Sequence, residues 1–122
     1  VTLRKSYGGA HDVMSCKQLR GDFNYAWPTA QIAVMGAKGA IEVLYGKEVA
    51  AITDPEAKAK FIAEKEEEYN HAFANPYKAA SYGYIDDVIE PRNTRFRVIR
   101  AFQSLQTKRV TNPMKKHSNI PL

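Results

Sequence analysis

Residues 3–14 read LRKSYGGAHDVM and join a strand pattern to a helix pattern through two adjacent glycines. The first seven residues of the chain largely alternate between apolar and polar side chains, which predicts a strand ending in a tight turn at Gly8-Gly9. A short helix is expected from Ala10 to about Leu19. A strand that turns on glycines into a helix leaves backbone N–H groups without intrahelical acceptors, so the segment predicts an anion site.

Three physical properties make this turn a candidate for catalysis. Glycine has no Cβ and lets a substrate oxygen approach the main chain, while the helix dipole favours negative charge. Backbone donors of this kind stabilise a developing oxyanion or enolate by a few kcal/mol each. The alternative is an ordinary tight turn, in which Asp12 would simply stabilise the first turn of the helix.

Outward from this turn, strand and helix patterns alternate, which predicts an α/β architecture of stacked βα units. The clearest helix covers residues 54–73, with Thr53 or Asp54 as the cap and Pro55 in the first turn. The remaining expectations are a loop at 22–28, a buried strand at 30–35, a helix at 36–45, a helical turn at 79–84, a strand at 85–90, a helix from 93 or 94 to 106 with Ile99 and Phe102 inward, and an irregular tail at 107–122.

Composition fits one globular domain: the chain has 122 residues, 44% hydrophobic and 25% charged. The single cysteine, Cys16, cannot pair within the chain and is expected to be a buried apolar residue in a reducing compartment. No apolar run approaches the roughly 20 residues of a membrane-spanning helix. Because the chain begins at Val1 and opens directly into a strand pattern, we expect it to be part of a larger protein.

The net charge of +5 raises the possibility of a polyanionic partner. Four arginines gather at the start of the last helix, where they could hold CoA phosphates, an acidic partner subunit or RNA, or pair with Glu and Asp on a solvated face. These are Arg92, Arg95, Arg97 and Arg100.

The loop Gly36-Ala37-Lys38-Gly39 is similar to the glycine loop of RNA-binding KH modules, but Glu42 stands where those modules have an aliphatic residue. A tight turn that allows close packing explains the glycines better. A small basic nucleic-acid-binding module remains an alternative, and binding that weakens steeply with salt would support it.

No metal site is predicted, because the three histidines are scattered and lie near no cysteine at ligand spacing. They are His11, His71 and His117. No glycine-flanked serine nucleophile is present either.

Four segments in order along the chain resemble the carboxyltransferase subunits of biotin-dependent acyl-CoA carboxylases, most closely those of the propionyl-CoA carboxylase type. They are LRKSYGGAHDVM at 3–14, NYAWPTAQIAVMGA at 24–37, FANPY at 73–77 and KHSNIPL at 116–122. The resemblance implies an α/β, crotonase-like (ClpP-type) ββα superhelix. It also implies that residues 1–122 are the C-terminal portion of a carboxyltransferase C-terminal domain, without the N-terminal half of the subunit.

The implied activity is carboxyl transfer from carboxybiotin to the α-carbon of a short-chain acyl-CoA, with propionyl-CoA to methylmalonyl-CoA expected first. Decarboxylase and transcarboxylase subunits share these segments and remain alternatives. The implied cofactor is biotin on a partner carrier domain, and the implied partners are that domain, a biotin carboxylase subunit and further copies in a hexamer. A cytoplasmic or mitochondrial-matrix enzyme is expected, in which this fragment is inactive alone.

Residue by residue, the resemblance assigns the N–H groups of Gly9 and Ala10 to the oxyanion hole on the biotin side. It places Gly8 and His11 in the same pocket, although many relatives carry tyrosine at position 11. Asp12 matches a position that bears on acyl-chain length, where aspartate favours propionyl-type substrates.

Overall fold

The computed structural model describes residues 1–111, and these form four short strands, five α-helices and two 3₁₀ helices. The strands are β1 (Lys5–Tyr7), β2 (Tyr25–Ala26), β3 (Gln31–Ala33) and β4 (Asp87–Val88). The α-helices are α1 (Gly8–Val13), α2 (Ala37–Ala51), α3 (Pro55–Ala72), α4 (Pro76–Ser81) and α5 (Thr94–Ser104), and the 3₁₀ helices are Lys17–Leu19 and Pro91–Asn93.

The strands form two parallel pairs. Strand β1 pairs with β3, so that Tyr7 lies opposite Ala33, and β2 pairs with β4. A bridge from Thr2 to Ala26 brings the chain before β1 alongside β2. Parallel strands require crossover connections, which here run through the helices, so the alternating βα architecture expected from the sequence is confirmed.

Small side chains fill the core beneath the strands and α4. The cluster consists of Ala26, Ala30, Ile32, Ala79 and Ile85, each at most 7% exposed. Cys16 is fully buried, as expected for a lone thiol. Alanines at the contact allow the strands and α4 to approach closely.

Helix α3 confirms the clearest prediction from the sequence. The carboxylate of Asp54 accepts hydrogen bonds from the N–H groups of Glu56 and Ala57, and Pro55 occupies the first helical turn. Helix α2 is longer than predicted. It continues to Ala51 through a kink at Tyr45, whose φ of −119° is not helical. The kink lies where the predicted helix at 36–45 ends.

Several predicted boundaries were wrong. Helix α1 begins at Gly8, two residues before the predicted start, and it ends at Val13, because the positive φ of Ser15 breaks the helix. A strand, β2, replaces part of the predicted loop at 22–28. The strands at 30–35 and 85–90 are shorter than predicted, and the helical turn begins at Pro76 instead of residue 79.

The last helix was predicted correctly in extent but not in orientation. Ile99 and Phe102 were expected to face inward, yet they are 43% and 69% exposed. Within residues 1–111, no element covers that side of α5 well enough to bury them. None of the helices described is long and apolar enough to cross a membrane. His117, the segment 116–122 and most of the predicted irregular tail lie outside the described residues.

Candidate functional site

A cavity of about 580 Å³ opens in front of the turn from β1 to α1. Four of the five predicted site residues line it: Gly8, Gly9, His11 and Asp12. Ala10 lines a neighbouring hollow instead, and His11 forms part of both walls. The remaining wall is supplied by Gln18 in the 3₁₀ segment and by residues of β3, α2, α3 and α4 with its following turn: Ile32, Ala33, Val34, Leu44, Tyr69, Phe73, Lys78, Ala79, Tyr82 and Tyr84.

Gly8 is required by the backbone geometry of the turn. Its φ is +52°, and a Cβ added there would lie 2.9 Å from the carbonyl oxygen of Val34. A side chain would therefore meet both an unfavourable backbone conformation and a backbone atom that cannot move aside. Gly9 differs, because a Cβ there would meet nothing within 4 Å, and the residue is exposed.

The N–H groups of Gly9 and Ala10 belong to the first turn of α1, so the helix itself provides no acceptor for them. Among residues 1–111, neither is a donor in the hydrogen bonds that link different elements. Asp12 is the fifth residue of α1, so the expectation that it lies in the first helical turn was wrong. Its side chain is exposed at the cavity.

His11 is held by the strand that precedes its helix. Its Nδ1 lies 2.8 Å from the hydroxyl oxygen of Ser6. Its Nε2 is buried and has no hydrogen-bond partner within the described part of the chain. The contact with Ser6 therefore fixes the orientation of the ring that separates the two hollows.

Four aromatic side chains form a wall of the cavity that the glycine turn also lines. Tyr69 and Phe73 lie on one side of α3 with ring centroids 5.5 Å apart, and Tyr82 and Tyr84 are 5.7 Å apart after α4. The ammonium of Lys78 lies 4.9 Å from the Tyr82 ring. A spacing of four residues puts Tyr69 and Phe73 on one side of a helix, but it does not show that this side lines a cavity. Nothing in the local pattern identified Lys78.

Tyr7 connects the two paired strands at the base of the turn. Its hydroxyl donates a 2.5 Å hydrogen bond to Gln31 Oε1. Burial raises the pKa of Tyr7 above its usual value, and the nearby Tyr69 raises it further, with Arg4 acting in the opposite direction. Tyr7 therefore remains a neutral donor at physiological pH.

A second cavity, of about 850 Å³, lies at the turn from β3 to α2. Its lining includes three basic side chains: Arg4 just before β1, Lys5 in β1 and Lys38 in α2. A Cβ added at Gly36 would lie 3.2 Å from the ring of Tyr7, which supports the packing explanation for this glycine. Gly39 has open space around it, so packing does not explain the second glycine of the loop.

Two of the four arginines near α5 pair with carboxylates of the chain. Arg97 pairs with Asp87 and stacks over Tyr25, and Arg92 pairs with Glu90 at 2.5 Å. This arrangement supports the interpretation of a solvated, internally paired face, and it provides no support for nucleic-acid binding. No group of three potential metal ligands occurs in residues 1–111.

Comparison with known proteins places these features in a family. Residues 1–120 match the carboxyl transferase domain. The chain is 59% identical over its whole length to a propionyl-CoA carboxylase beta chain of Cereibacter sphaeroides, covering 22% of that protein. It is 50% identical to the methylmalonyl-CoA carboxyltransferase 12S subunit of Propionibacterium freudenreichii, over 99% of this chain and 22% of that one. It is also 50% identical, over its whole length, to a methylmalonyl-CoA decarboxylase alpha subunit of Propionigenium modestum, covering 23% of that protein.

The fold agrees with the sequence comparison. A crystal structure of transcarboxylase 12S, described as a hexamer with methylmalonyl-CoA and methylmalonic acid bound, superposes with a TM-score of 0.83 at 50% identity. That match covers 98% of this chain and 22% of the other, so the chain spans about a fifth of the relatives it matches. The predicted α/β, crotonase-like fold class is confirmed. With its sequence match over residues 1–120 and this shared fold, the chain belongs to the carboxyl transferase domain family.

Proposed function

We propose that this chain is part of a carboxyltransferase subunit that transfers a carboxyl group from carboxybiotin to the α-carbon of a short-chain acyl-CoA. Propionyl-CoA is the expected acceptor and methylmalonyl-CoA the product, because the propionyl-CoA carboxylase beta chain of Cereibacter sphaeroides is 59% identical over the whole chain. The observation that carries the proposal is the glycine turn with available backbone donors at the edge of a largely apolar cavity.

The residues at the turn fit a biotin ring. Gly9 leaves space for an oxygen to approach the main chain, and the N–H groups of Gly9 and Ala10 have the chemistry to bind a ureido oxygen. The aromatic side chains that line the same cavity are suited to the apolar part of the ring system. When bound, biotin supplies the carboxyl group and, once that group has left, a basic ureido nitrogen.

The chain contributes fixed polar groups more than reactive side chains. Gly9 and Ala10 donate their N–H groups to the oxygen on which negative charge accumulates, while Gly8 sets the backbone direction that presents those donors. Removing one such donor costs about 2.7–4 kcal/mol in comparable sites. Ser6 orients His11 at the wall, and Asp12 meets the acyl chain and favours propionyl-type substrates.

The site is proposed to be complete only in an assembly. Residues 1–122 would form the C-terminal portion of a carboxyltransferase C-terminal domain, and the donors for the thioester enolate would come from the N-terminal half of another subunit. A homohexamer, a biotin carboxyl carrier domain and a biotin carboxylase subunit are the proposed partners. Val34 is 79% exposed at the cavity edge, which agrees with a wall that further protein covers. This fragment alone is therefore expected to be inactive.

The direction of the reaction has a second candidate. The identity to a decarboxylase alpha subunit and to a 12S carboxyltransferase subunit is 50% in both cases, so biotin-dependent decarboxylation or transcarboxylation also fits these residues. The proposed location is the cytoplasm or, for a eukaryotic source, the mitochondrial matrix; the rat relative is named as mitochondrial.

Reconstitution of the full-length subunit tests the proposal. The subunit is mixed with a carboxylated biotin carrier domain and propionyl-CoA, and formation of methylmalonyl-CoA is followed by mass spectrometry. We expect product formation that requires both the carrier and the acyl-CoA. Absence of transfer to acetyl-, propionyl- and butyryl-CoA, with the hexamer intact, would exclude the proposed activity. Faster transfer from methylmalonyl-CoA to the uncarboxylated carrier than in the opposite direction would favour the decarboxylase or transcarboxylase candidate instead.

A further inference from the structure

One lysine, Lys78, lines the cavity at the glycine turn. Within residues 1–111 its ammonium takes part in no ion pair. Of the nine lysines in residues 1–111, three pair with acidic side chains, and Lys78 is the one of the other six that lines this cavity. The described contact of the Lys78 ammonium is with the face of Tyr82, 4.9 Å away.

The backbone at Lys78 is held in place from both sides. The side-chain oxygen of Asn75 accepts a hydrogen bond from the Lys78 N–H at 2.8 Å, and the Lys78 carbonyl accepts one from the Ser81 hydroxyl. Asn75 in turn donates to the carbonyl of His71 at the end of α3. The lysine therefore extends from a short helix that is fixed to α3, and its position at the cavity is built into the fold.

The surroundings select the type of anion. Lys78 is half-buried, and the contact of its ammonium with the Tyr82 ring contributes about 0.5–2 kcal/mol. The rest of the wall is mainly apolar and aromatic, with Asp12 as the other permanently charged side chain. A polyphosphate would need several cations here. A ligand that is mostly apolar and carries one carboxylate matches a single lysine.

We infer that Lys78 is the residue that binds a carboxylate in this cavity. The inference rests on the proposed function, in which two species carry such a group: the carboxylated acyl-CoA and the carboxylated biotin. Lys78 is a binding residue for the transferred group and takes no part in breaking or forming bonds. Its role is to hold the carboxylate by charge while the backbone donors hold the ureido oxygen.

Equilibrium binding to the full-length subunit tests the inference without catalysis. Calorimetry with methylmalonyl-CoA and propionyl-CoA compares two ligands that share every CoA phosphate and differ by one carboxylate. Lys78→Met keeps the length of the side chain and removes the charge. It should raise the Kd for methylmalonyl-CoA about tenfold, the effect of losing one charge-assisted hydrogen bond, while the Kd for propionyl-CoA stays unchanged. Lys78→Arg should restore binding. Lys60→Met, at an exposed lysine of α3 that lines none of these cavities, is the matched control.

A second arm separates the two sources of the carboxylate. The KM for the carboxylated carrier domain is compared with the KM for the uncarboxylated carrier in the reverse reaction, for the wild-type and Lys78→Met subunits. A selective rise for the carboxylated carrier assigns the contact to biotin, and a selective weakening of methylmalonyl-CoA assigns it to the acyl group.

Equal weakening of both CoA esters would show a structural role or phosphate binding, and it would overturn the inference. No change in either arm would overturn it as well. A wild-type subunit that fails to transfer carboxyl groups would contradict the proposed function, whereas selective loss of methylmalonyl-CoA binding in Lys78→Met would still be measurable.

Discussion

Two strand-to-helix turns lie next to each other in this protein and use glycine for different reasons. Because β1 and β3 pair in parallel, the turns at Gly8 and Gly36 leave the same edge of the pair. Gly8 has a φ of +52°, whereas Gly36 has an ordinary φ of −67° and is short of space beside Tyr7. A glycine after a strand therefore does not by itself identify a site. The surroundings decide, and only the first turn opens on an apolar cavity.

The helices that follow these turns also differ in length and in the contacts that hold them in the fold. Helix α1 has six residues and α2 has fifteen, and α2 packs along α3. After α1, Lys17 and Asp86 form an ion pair of 2.7 Å that ties the chain to the residue before β4. A long-range ion pair therefore holds the segment that follows α1, whereas α2 is held mainly by helix packing.

The largest expected effect is on the rate of catalysis. It distinguishes the backbone N–H donors of the turn at Gly8 from those of the turn at Gly36. Replacing the Ala10 amide by an ester, through incorporation of lactic acid, removes one N–H without adding a ring. We expect kcat of the full-length subunit to fall about 10²–10³-fold, as when an oxyanion donor is lost. Ala10→Pro is less clean, because Ala10 is the third residue of α1 and proline disfavours the helical conformation of Gly9.

The matched control is the same ester at Ala37, the first residue of α2. That variant should keep normal carboxyl transfer. Equal losses at both positions would show that the ester damages the fold generally, and a normal rate with the ester at Ala10 would rule out its role as a donor.

The next effect is on stability and separates the two glycines. Gly8→Ala should lower the free energy of unfolding by about 2 kcal/mol, because it combines a strained φ with a backbone contact at Val34. Gly36→Ala should cost about 1 kcal/mol, since its φ is ordinary and the Tyr7 ring can shift. Urea titrations of the full-length subunit measure both. A larger loss for Gly36→Ala would contradict the geometric distinction.

A smaller effect concerns selectivity at the first turn. Asp12→Ile replaces a carboxylate at the cavity by an apolar side chain of larger volume, which removes the cost of placing a longer alkyl chain beside a charge. We expect the ratio of kcat/KM for butyryl-CoA over propionyl-CoA to rise about tenfold, the order of discrimination typical of one methylene. Glu48→Ile, on the exposed side of α2, should leave the ratio unchanged. Unaltered ratios in both variants would remove Asp12 from the acyl site.

The smallest effect tests how the first turn is supported. Burial alone would raise the pKa of Asp86, but hydrogen bonds from Lys17 and from the Asn24 N–H outweigh it and lower the pKa below 3.8. A lowered pKa in the folded state stabilises the protein above the unfolded value, and this contribution is lost as the pH falls through the folded pKa.

Asp86→Asn should therefore cost less than about 1 kcal/mol at pH 7, because both side chains are about one-third exposed, and less still in acid. Hydrogen exchange should increase at Lys17–Leu19 and remain unchanged in α2. The same increase in both regions would show that the ion pair stabilises the whole domain and not the first turn in particular.

The parts of the fold that were predicted correctly depend on local chemistry. Helix α3 begins where Asp54 and Pro55 place it, because a cap and a first-turn proline act within a few residues. Strand β2 was missed, because two residues are too short for an alternation and its pairing with β4 joins positions about 60 residues apart. The exposed Ile99 and Phe102 were predicted inward because a helical stripe identifies an apolar face but not what covers it.

The sequence by itself determined the family, the alternation of strands and helices, and the position of the glycine turn, since these depend on residue types at short spacing. Only the tertiary structure decided that Gly8, Gly9, His11 and Asp12 share a cavity with an aromatic wall and Lys78. That wall comes from α3 and from the region after α4, more than 50 residues away along the chain. Contacts of this range depend on how the helices pack, which no local pattern encodes.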